Sequence, residues 1–178
     1  IIKDISTHRS GSVNKNDVYY LVGKTDNKST ALALVTEISL DQVENVNIKV
    51  NLEDEKRNGQ FILDLFYKKL ISSAHDVSDG GIALALCELA IVNGLGFRII
   101  EGSLEYFFNE TQGRYIISIN PLNEKQLIYL AKEKKVTLNK LGVAEGTTLS
   151  FGSNILQLDH AINLYDNAIS NMMDIENR

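Results

Sequence analysis

The stretch at residues 72–90, SSAHDVSDGGIALALCELA, decides the fold, because a strand, a polar turn and an apolar helix follow one another in it without a gap. Residues 71–77 predict a short buried strand. Residues 80–94 predict a helix that ends at Gly94 or Gly96, where glycine allows a left-handed end. The helix is apolar on nearly every side, which indicates burial between layers.

The turn between strand and helix has two interpretations, and both stay open on the sequence alone. In the first, Ser78 or Asp79 caps a buried helix by accepting a bond from a free N–H. In the second, the turn binds a ligand: the first N–H groups attract an anion such as phosphate, and the Asp76 carboxylate holds a hard cation such as magnesium. Gly80 and Gly81, which have no Cβ, let either a backbone or a ligand come close.

Two reactive residue types near this turn favour a structural interpretation. His75 lies beside the strand, where a satisfied buried histidine is more common than a catalyst. Cys87 lies inside the apolar helix, which predicts a small core side chain rather than a nucleophile. No Walker A, GxGxxG, zinc-ligand or Gly-x-Ser-x-Gly pattern is present.

A second polar cluster, FFNETQGRY at residues 107–115, precedes a strand predicted over 113–120. Glu110 and Gln112 are expected on one side of this segment, where they bond a ligand or stabilise the turn. Arg114 is a candidate partner for a carboxylate or a phosphate.

Hydrophobic periodicity and end signals predict the remaining elements. Strands are predicted over 17–25 and 96–100, and two or three short ones within 136–158. Helices are predicted over 51–70, 123–135 and 159–173, with one helical turn within 103–110. The pattern indicates one α/β (α+β) domain over residues 1–178, with a mixed sheet packed with about four helices.

The last two helices carry further predictions. Asn123 and Asp159 are the expected N-caps of helices 123–135 and 159–173. The inward face of the last helix is expected to consist of Ile162, Tyr165, Ile169 and Met172. Residues 27–50 are ambiguous between a strand and a loop.

Composition excludes several classes of protein. The chain has 178 residues and a formal net charge of -5, so a basic nucleic-acid footprint is not expected. No apolar run approaches the roughly 18–20 residues of a membrane span. The single cysteine fits a reducing compartment, which predicts a cytoplasmic protein. The chain begins with Ile1, which favours a piece of a longer protein.

The two polar motifs together resemble a known family. SAHDVSDGGIALALCELA, followed by FFNETQGRYIISI, is similar to the phosphoribosylformylglycinamidine synthases of the aminoimidazole ribonucleotide synthetase-related superfamily. The opening IIKDIS…DVYYLVGKT and the last helix, HAINLYDNAISNMM, resemble segments of the same family in kind and in their order along the chain. The resemblance therefore covers nearly the whole chain.

The resemblance implies a fold like the C-terminal domain of aminoimidazole ribonucleotide synthetase, placed at the end of the second half of a long duplicated enzyme. That enzyme is a ligase of purine biosynthesis that makes formylglycinamidine ribonucleotide from formylglycinamide ribonucleotide, ATP and glutamine-derived ammonia, with magnesium. The implied partners are the remaining domains of the same enzyme, a glutaminase and a small accessory subunit. A homodimer is also compatible with the resemblance. Neither nucleic acid nor a membrane is expected as a partner.

The resemblance also implies roles for particular residues. In the first half of the family enzyme, an aspartate at the Asp76 position binds magnesium, and the positions of Glu110, Thr111 and Gln112 face the substrate. The implied nucleotide or substrate site consists of Asp76, Ser78, Asp79, Gly80, Gly81, Glu110, Thr111 and Gln112. The catalytic histidine belongs to N-terminal domains, so this segment is expected to be scaffold or an auxiliary nucleotide site, inactive alone.

One departure and two alternatives accompany the resemblance. The family's glycine-serine signature is replaced here by NKSTALALV, which puts a role for the 26–36 loop in doubt. One alternative is another enzyme of the superfamily: aminoimidazole ribonucleotide synthetase, selenophosphate synthetase or thiamine-phosphate kinase. The other is a domain that serves assembly alone, which would expose a large apolar patch.

Overall fold

The computed structural model describes residues 12–25, 50–100 and 102–175. The 26–36 loop and nearly all of the ambiguous 27–50 segment lie outside the described residues. The α-helices are α1 (Leu52–Tyr67), α2 (Gly81–Asn93), α3 (Leu104–Phe107), α4 (Glu124–Lys134) and α5 (Leu158–Ile175). The strands are β1 (Val18–Val22), β2 (Ser73–Asp76), β3 (Phe97–Ile99), β4 (Tyr115–Ile119), β5 (Leu138–Ala144), β6 (Thr148–Phe151) and β7 (Asn154–Gln157).

The seven described strands form one mixed sheet in the order β2-β4-β1-β5-β3-β6-β7. Neighbouring strands are antiparallel except β3 and β6, which are parallel. β1 lies between β4 and β5, and all five of its residues are buried. Burial on both sides explains why its sequence, VYYLV, is apolar throughout rather than alternating.

Helices cover both faces of the sheet. Tyr19 and Leu21 of β1 point into a core that α2, α3 and α5 complete. Val18, Tyr20 and Val22 point into a second core beneath α1 and α4. The prediction of a mixed sheet packed with helices is thus confirmed, with five α-helices in the described residues rather than about four.

Helix ends depart from the predicted caps at two places. Asn123 stands at the N-cap position of α4, but its side chain makes no capping bond. A 3-10 turn over Pro121–Asn123 precedes α4. The capping side chain is that of Asn120, which accepts a hydrogen bond from the N–H of Leu122 in this turn. Helix α5 begins at Leu158, so Asp159 lies in its first turn rather than at its cap.

Two burial predictions were also wrong. Among the described strands β2 lies at the edge of the sheet, and within it only Ser73 is buried whereas Asp76 is exposed. Tyr165, Ile169 and Met172 of α5 are exposed rather than inward. No helix among the described residues is long and apolar enough to cross a membrane.

Candidate functional site

The pairing of β2 with β4 brings the two polar motifs to one end of the sheet. Asp76 is paired with Tyr115. One residue further, the Val77 N–H donates to the Arg114 carbonyl at 3.0 Å. The turn at 77–81 therefore lies against the loop at 109–114, although about thirty residues separate them in the chain.

Helix α2 is capped by the second motif and not by its own turn. Its N-cap position is Gly80, in the left-handed conformation with φ 74° and without a side-chain bond. The Gly80 N–H donates to Oε1 of Glu110 at 2.9 Å. The prediction that Ser78 or Asp79 caps the helix was therefore wrong: the helix begins two residues after Asp79, so the cap position falls on a residue without a side chain.

Glu110 stands where an anion would bind at the start of α2. Its carboxylate meets the positive end of the helix dipole, which favours negative charge. A second N–H of the turn, that of Gly81, donates to the Ser78 carbonyl at 3.0 Å. Protein oxygens thus satisfy both donors, and a phosphate placed directly on them would have to displace Glu110.

Replacing Glu110 with glutamine is expected to lower the free energy of unfolding by about 1 kcal/mol. The amide keeps an acceptor oxygen for Gly80 but loses the charge that complements the helix dipole. Urea denaturation of Glu110→Gln tests this, with Glu133→Gln on α4 as a control that removes an equal charge elsewhere. An equal loss in both variants would contradict the capping role.

The glycine pair is explained by contacts within the protein. A Cβ on Gly81 would lie 2.5 Å from the Asn109 carbonyl oxygen and 2.6 Å from that of Phe107. A Cβ on Gly80 would lie 2.8 Å from Cβ of Leu84. Of the two roles that the sequence leaves open for these glycines, the close approach of a backbone is the one observed.

Arg114 holds the loop together from within. It is 1% exposed. Its guanidinium donates to the carbonyl of Asn109, to the carbonyl of Thr111 at 2.8 Å and to Oγ1 of Thr25 at 2.9 Å. Arg114 therefore ties the Glu110 loop to the segment after β1, which is a structural use of its charge.

Two asparagines that sequence reasoning missed complete this framework. Asn109 is buried, and its Oδ1 accepts from the N–H of Thr111 at 2.8 Å. Asn58 of α1 is buried and donates from Nδ2 to the Gly113 carbonyl at 2.9 Å. A signal for Asn58 was present, because it shares the helical spacing of the apolar residues Phe61 and Leu65 and so faces inward.

The polar side chains at the surface of this site are available to a ligand. Asp76 is 70% exposed at its side chain, and Ser78, Asp79 and Gln112 are also exposed. Glu110 and Thr111 are half-buried. The sheet edge thus presents polar groups around a turn in which the Val77, Gly80 and Gly81 N–H groups already have acceptors.

The carboxylates among these polar groups suit magnesium only together with another ligand. Within the part of the chain that the structure describes, no three His, Cys, Asp or Glu side chains group closely enough to hold a metal. Magnesium in nucleotide sites is commonly held by one or two carboxylates and by the phosphates themselves. Asp76 fits that arrangement and does not fit a site built of protein groups alone.

His75 and Cys87 occupy structural positions. Nδ1 of His75 lies 2.6 Å from the Asp76 carbonyl oxygen, and Nε2 lies 3.3 Å from Oε2 of Glu88. Cys87 packs against the core around α2. Burial, with the nearby Glu88 carboxylate, raises the pKa of the Cys87 thiol to about 11, which disfavours the nucleophilic thiolate.

Comparison with known proteins identifies relatives over most of the chain. A phosphoribosylformylglycinamidine synthase subunit PurL from Bartonella bacilliformis is 35% identical over 143 residues, which are 78% of this chain and 19% of the relative. The subunit of the same name from Pelagibacter ubique is 30% identical over 98% of this chain and 25% of its own length. The chain thus spans about a fifth to a quarter of these relatives.

The fold matches a solved structure as well. Thermotoga maritima PurL complexed with FGAR superposes with a TM-score of 0.70 over 86% of this chain and 29% of that one, at 15% identity. Residues 14–151 match the family described as AIR synthase related protein, C-terminal domain. That match covers most of the chain, from the residues before β1 to the end of β6, and includes both polar motifs. The chain therefore belongs to the family of AIR synthase related protein C-terminal domains.

Proposed function

We propose that this chain is the C-terminal domain of the second half of a phosphoribosylformylglycinamidine synthase. The whole enzyme is then an ATP-dependent ligase that forms formylglycinamidine ribonucleotide from formylglycinamide ribonucleotide with glutamine-derived ammonia, in the cytoplasm. The observation that carries the proposal is the meeting of HDVSDGG and NETQGR at one end of the sheet, in a chain whose relatives bear this name.

The likeness to structures of T. maritima PurL supports the nucleotide part of the proposal. That protein has been solved complexed with FGAR, with ATP and with ADP. By analogy, this domain contributes an auxiliary nucleotide or substrate site, whose eight residues are Asp76, Ser78, Asp79, Gly80, Gly81, Glu110, Thr111 and Gln112. Asp76 would hold magnesium through its carboxylate, and the metal would supply the positive charge that the phosphates require.

These eight residues fall into two groups. Gly80, Gly81, Glu110 and Thr111 already serve the protein, because they build the turn, cap α2 and bond to Asn109. Asp76, Ser78, Asp79 and Gln112 are exposed and carry the polar groups that would reach a ligand. A ligand would therefore be bound through magnesium and these side chains, since the N–H groups of Gly80 and Gly81 already have acceptors.

Magnesium-ADP, magnesium-ATP or formylglycinamide ribonucleotide is expected to raise the melting temperature of the 178-residue chain. At about 100 times its dissociation constant, a ligand of the folded state adds about 2.7 kcal/mol, which for this size is a shift of roughly 5–10 °C. Asp76→Asn should abolish the shift. Asp166→Asn on α5 removes an equal charge from an exposed helix position and should preserve it.

Two results would count against the proposed site. If no ligand shifts the melting temperature, the turn is only the start of a helix. If Asp76→Asn keeps the full shift, a ligand binds elsewhere in the domain. Product formed by residues 1–178 alone would overturn the expectation that catalysis needs the other domains, the glutaminase and the small accessory subunit.

A role in assembly is a second candidate, favoured by one observation. Helix α5 exposes large apolar side chains in a continuous row. The two roles are compatible, because a domain that supports a larger enzyme both docks and keeps a site.

A further inference from the structure

Among the described residues, the buried positions of helix α5 all lie at its beginning. Leu158 and Ala161 are buried against the core that α2 completes, and Ile162 is half-buried there. From residue 163 to residue 173 every position is exposed. About three turns of helix therefore extend beyond the packed domain.

The exposed part continues the same apolar face that packs at the start. Tyr165, Ile169 and Met172 follow Leu158 and Ala161 at the three- and four-residue spacing that keeps side chains on one side of a helix. Their exposures are 55%, 74% and 70%. We call these three residues, with the 53% exposed Leu164 beside them, the α5 stripe.

An uncovered stripe of this kind is unfavourable in water. An isolated helix shorter than about 12–15 residues is marginally stable, and protein helices gain most of their stability by packing an apolar face. Residues 163–173 continue a helix that is packed at its start, but no described residue covers their apolar face. The opposite face is polar, with Asn163, Asn167 and Ser170, so the pattern selects one side for burial.

The stripe is too small to make a stable homodimer by itself. The exposed piece is about 16 Å long and about 10 Å wide. Two copies laid stripe to stripe would bury a few hundred Å², whereas stable interfaces bury roughly 1,200–2,000 Å². A partner within the same polypeptide needs less area, because the linker supplies a high effective concentration.

We propose that the α5 stripe docks against another domain of the longer polypeptide. The chain spans about a fifth to a quarter of its relatives, which leaves most of such a polypeptide available as the partner. The identity of that polypeptide rests on the proposed function. The stripe lies beyond residues 14–151, the part that matches the family domain, but within the 98% of the chain that aligns with the Pelagibacter ubique relative.

The residue types in and beside the α5 stripe indicate what kind of surface would be complementary to it. The stripe residues are uncharged, and Tyr165 combines a large apolar ring with a hydroxyl, as residues at the centre of interfaces often do. Asp159 and Asp166 lie seven residues apart and so form one acidic edge beside the stripe. The partner surface is therefore an apolar groove with lysine or arginine along one side.

Hydrogen exchange of the α5 amides in the full-length polypeptide and in the 178-residue chain tests the docking. We expect residues 163–173 to be protected at least roughly tenfold more strongly in the full-length polypeptide. Ile169→Glu should remove this extra protection there. Ser170→Glu is the matched control, because it adds the same charge one residue away on the polar face and should leave the protection intact.

The possible outcomes distinguish another domain of the same polypeptide from a second copy of this chain as the partner of the α5 stripe. Equal protection in both chains, or loss of protection with Ser170→Glu as well, overturns the proposal. Protection in the 178-residue chain that rises with concentration, with a dimer in sedimentation, assigns the stripe to a second copy and also overturns it. Ligase activity of the full-length polypeptide is measured separately: activity without protection refutes the docking alone, and protection without activity refutes the proposed function alone.

Discussion

Replacing Gly81 with alanine is expected to lower the free energy of unfolding by roughly 2–5 kcal/mol. Gly81 has φ 65°, a left-handed conformation that disfavours a side chain by roughly 1–2 kcal/mol. The new Cβ would also lie 2.5 Å from the Asn109 carbonyl oxygen, which is backbone and cannot rotate away. Relieving such a clash in a packed interior typically costs roughly 1–3 kcal/mol more.

Gly94→Ala separates the two causes. Gly94, at the other end of α2, has φ 61°, and a Cβ there would meet no atom within 4 Å. It carries the same conformational penalty without the clash, so its expected loss is only roughly 1–2 kcal/mol. Urea denaturation of both variants measures the difference, and equal losses would show that the loop at 107–109 moves away from α2 without resistance.

The clash in Gly81→Ala also predicts which neighbouring contacts are lost. The atoms that oppose a Cβ on Gly81 belong to Phe107, Phe108 and Asn109, directly before Glu110. A loop pushed away from α2 takes the Glu110 carboxylate with it and leaves the Gly80 N–H without its acceptor. Amide exchange in the first turn of α2 should therefore rise in Gly81→Ala and stay unchanged in Gly94→Ala.

The main elements of the fold were predictable because they depend on local pattern. The helix at 80–94 and the strand at 113–120 each carry an apolar run bounded by glycine, proline or polar residues. β1 was predictable for the same reason, since VYYLV favours a strand wherever it is placed. The exposed face of α5 was not predictable, because periodicity identifies an apolar face and does not say whether the same chain covers it.

The capping of α2 shows where local rules fail. Ser78 and Asp79 are favoured cap residues at the expected distance from the helix, and a rule based on neighbours selects them. The acceptor actually used belongs to Glu110, thirty residues away, and it reaches Gly80 because β2 pairs with β4. Local pattern indicated that both motifs are polar turns but not that they touch, because their contact arises from the strand register; only the family resemblance placed them in one site.

The contact between the turn at 77–81 and the loop at 109–114 depends on Arg114. Arg114→Met is expected to lower the free energy of unfolding by roughly 3 kcal/mol or more. Methionine fills a similar space but donates no hydrogen bond, so the Asn109 and Thr111 carbonyls lose a charged donor. Withdrawing the donor from a buried acceptor costs roughly 1–3 kcal/mol for each group. Thr25 would also lose its link to the loop.

Arg98→Met is the matched control for this change. The Arg98 side chain is 57% exposed, and its Nε pairs with Oε1 of Glu145 at 2.5 Å at the protein surface. Exposed ion pairs contribute about 0–1 kcal/mol, so this variant should unfold close to the parent chain. Urea denaturation compares the two, and equal stabilities would mean that the Glu110 loop holds its position without the guanidinium.

The Arg114 variant also links stability to the proposed site. If the guanidinium orients the loop, Arg114→Met should weaken the protection of the Gly80 amide, and it should reduce the melting-temperature shift caused by magnesium-nucleotide more than Arg98→Met does. Arg114→Lys should recover part of the stability, because an ammonium carries its three donors on one nitrogen and cannot reproduce the forked geometry of the planar guanidinium. Full recovery with lysine would show that buried positive charge, rather than the forked geometry, holds the two motifs together.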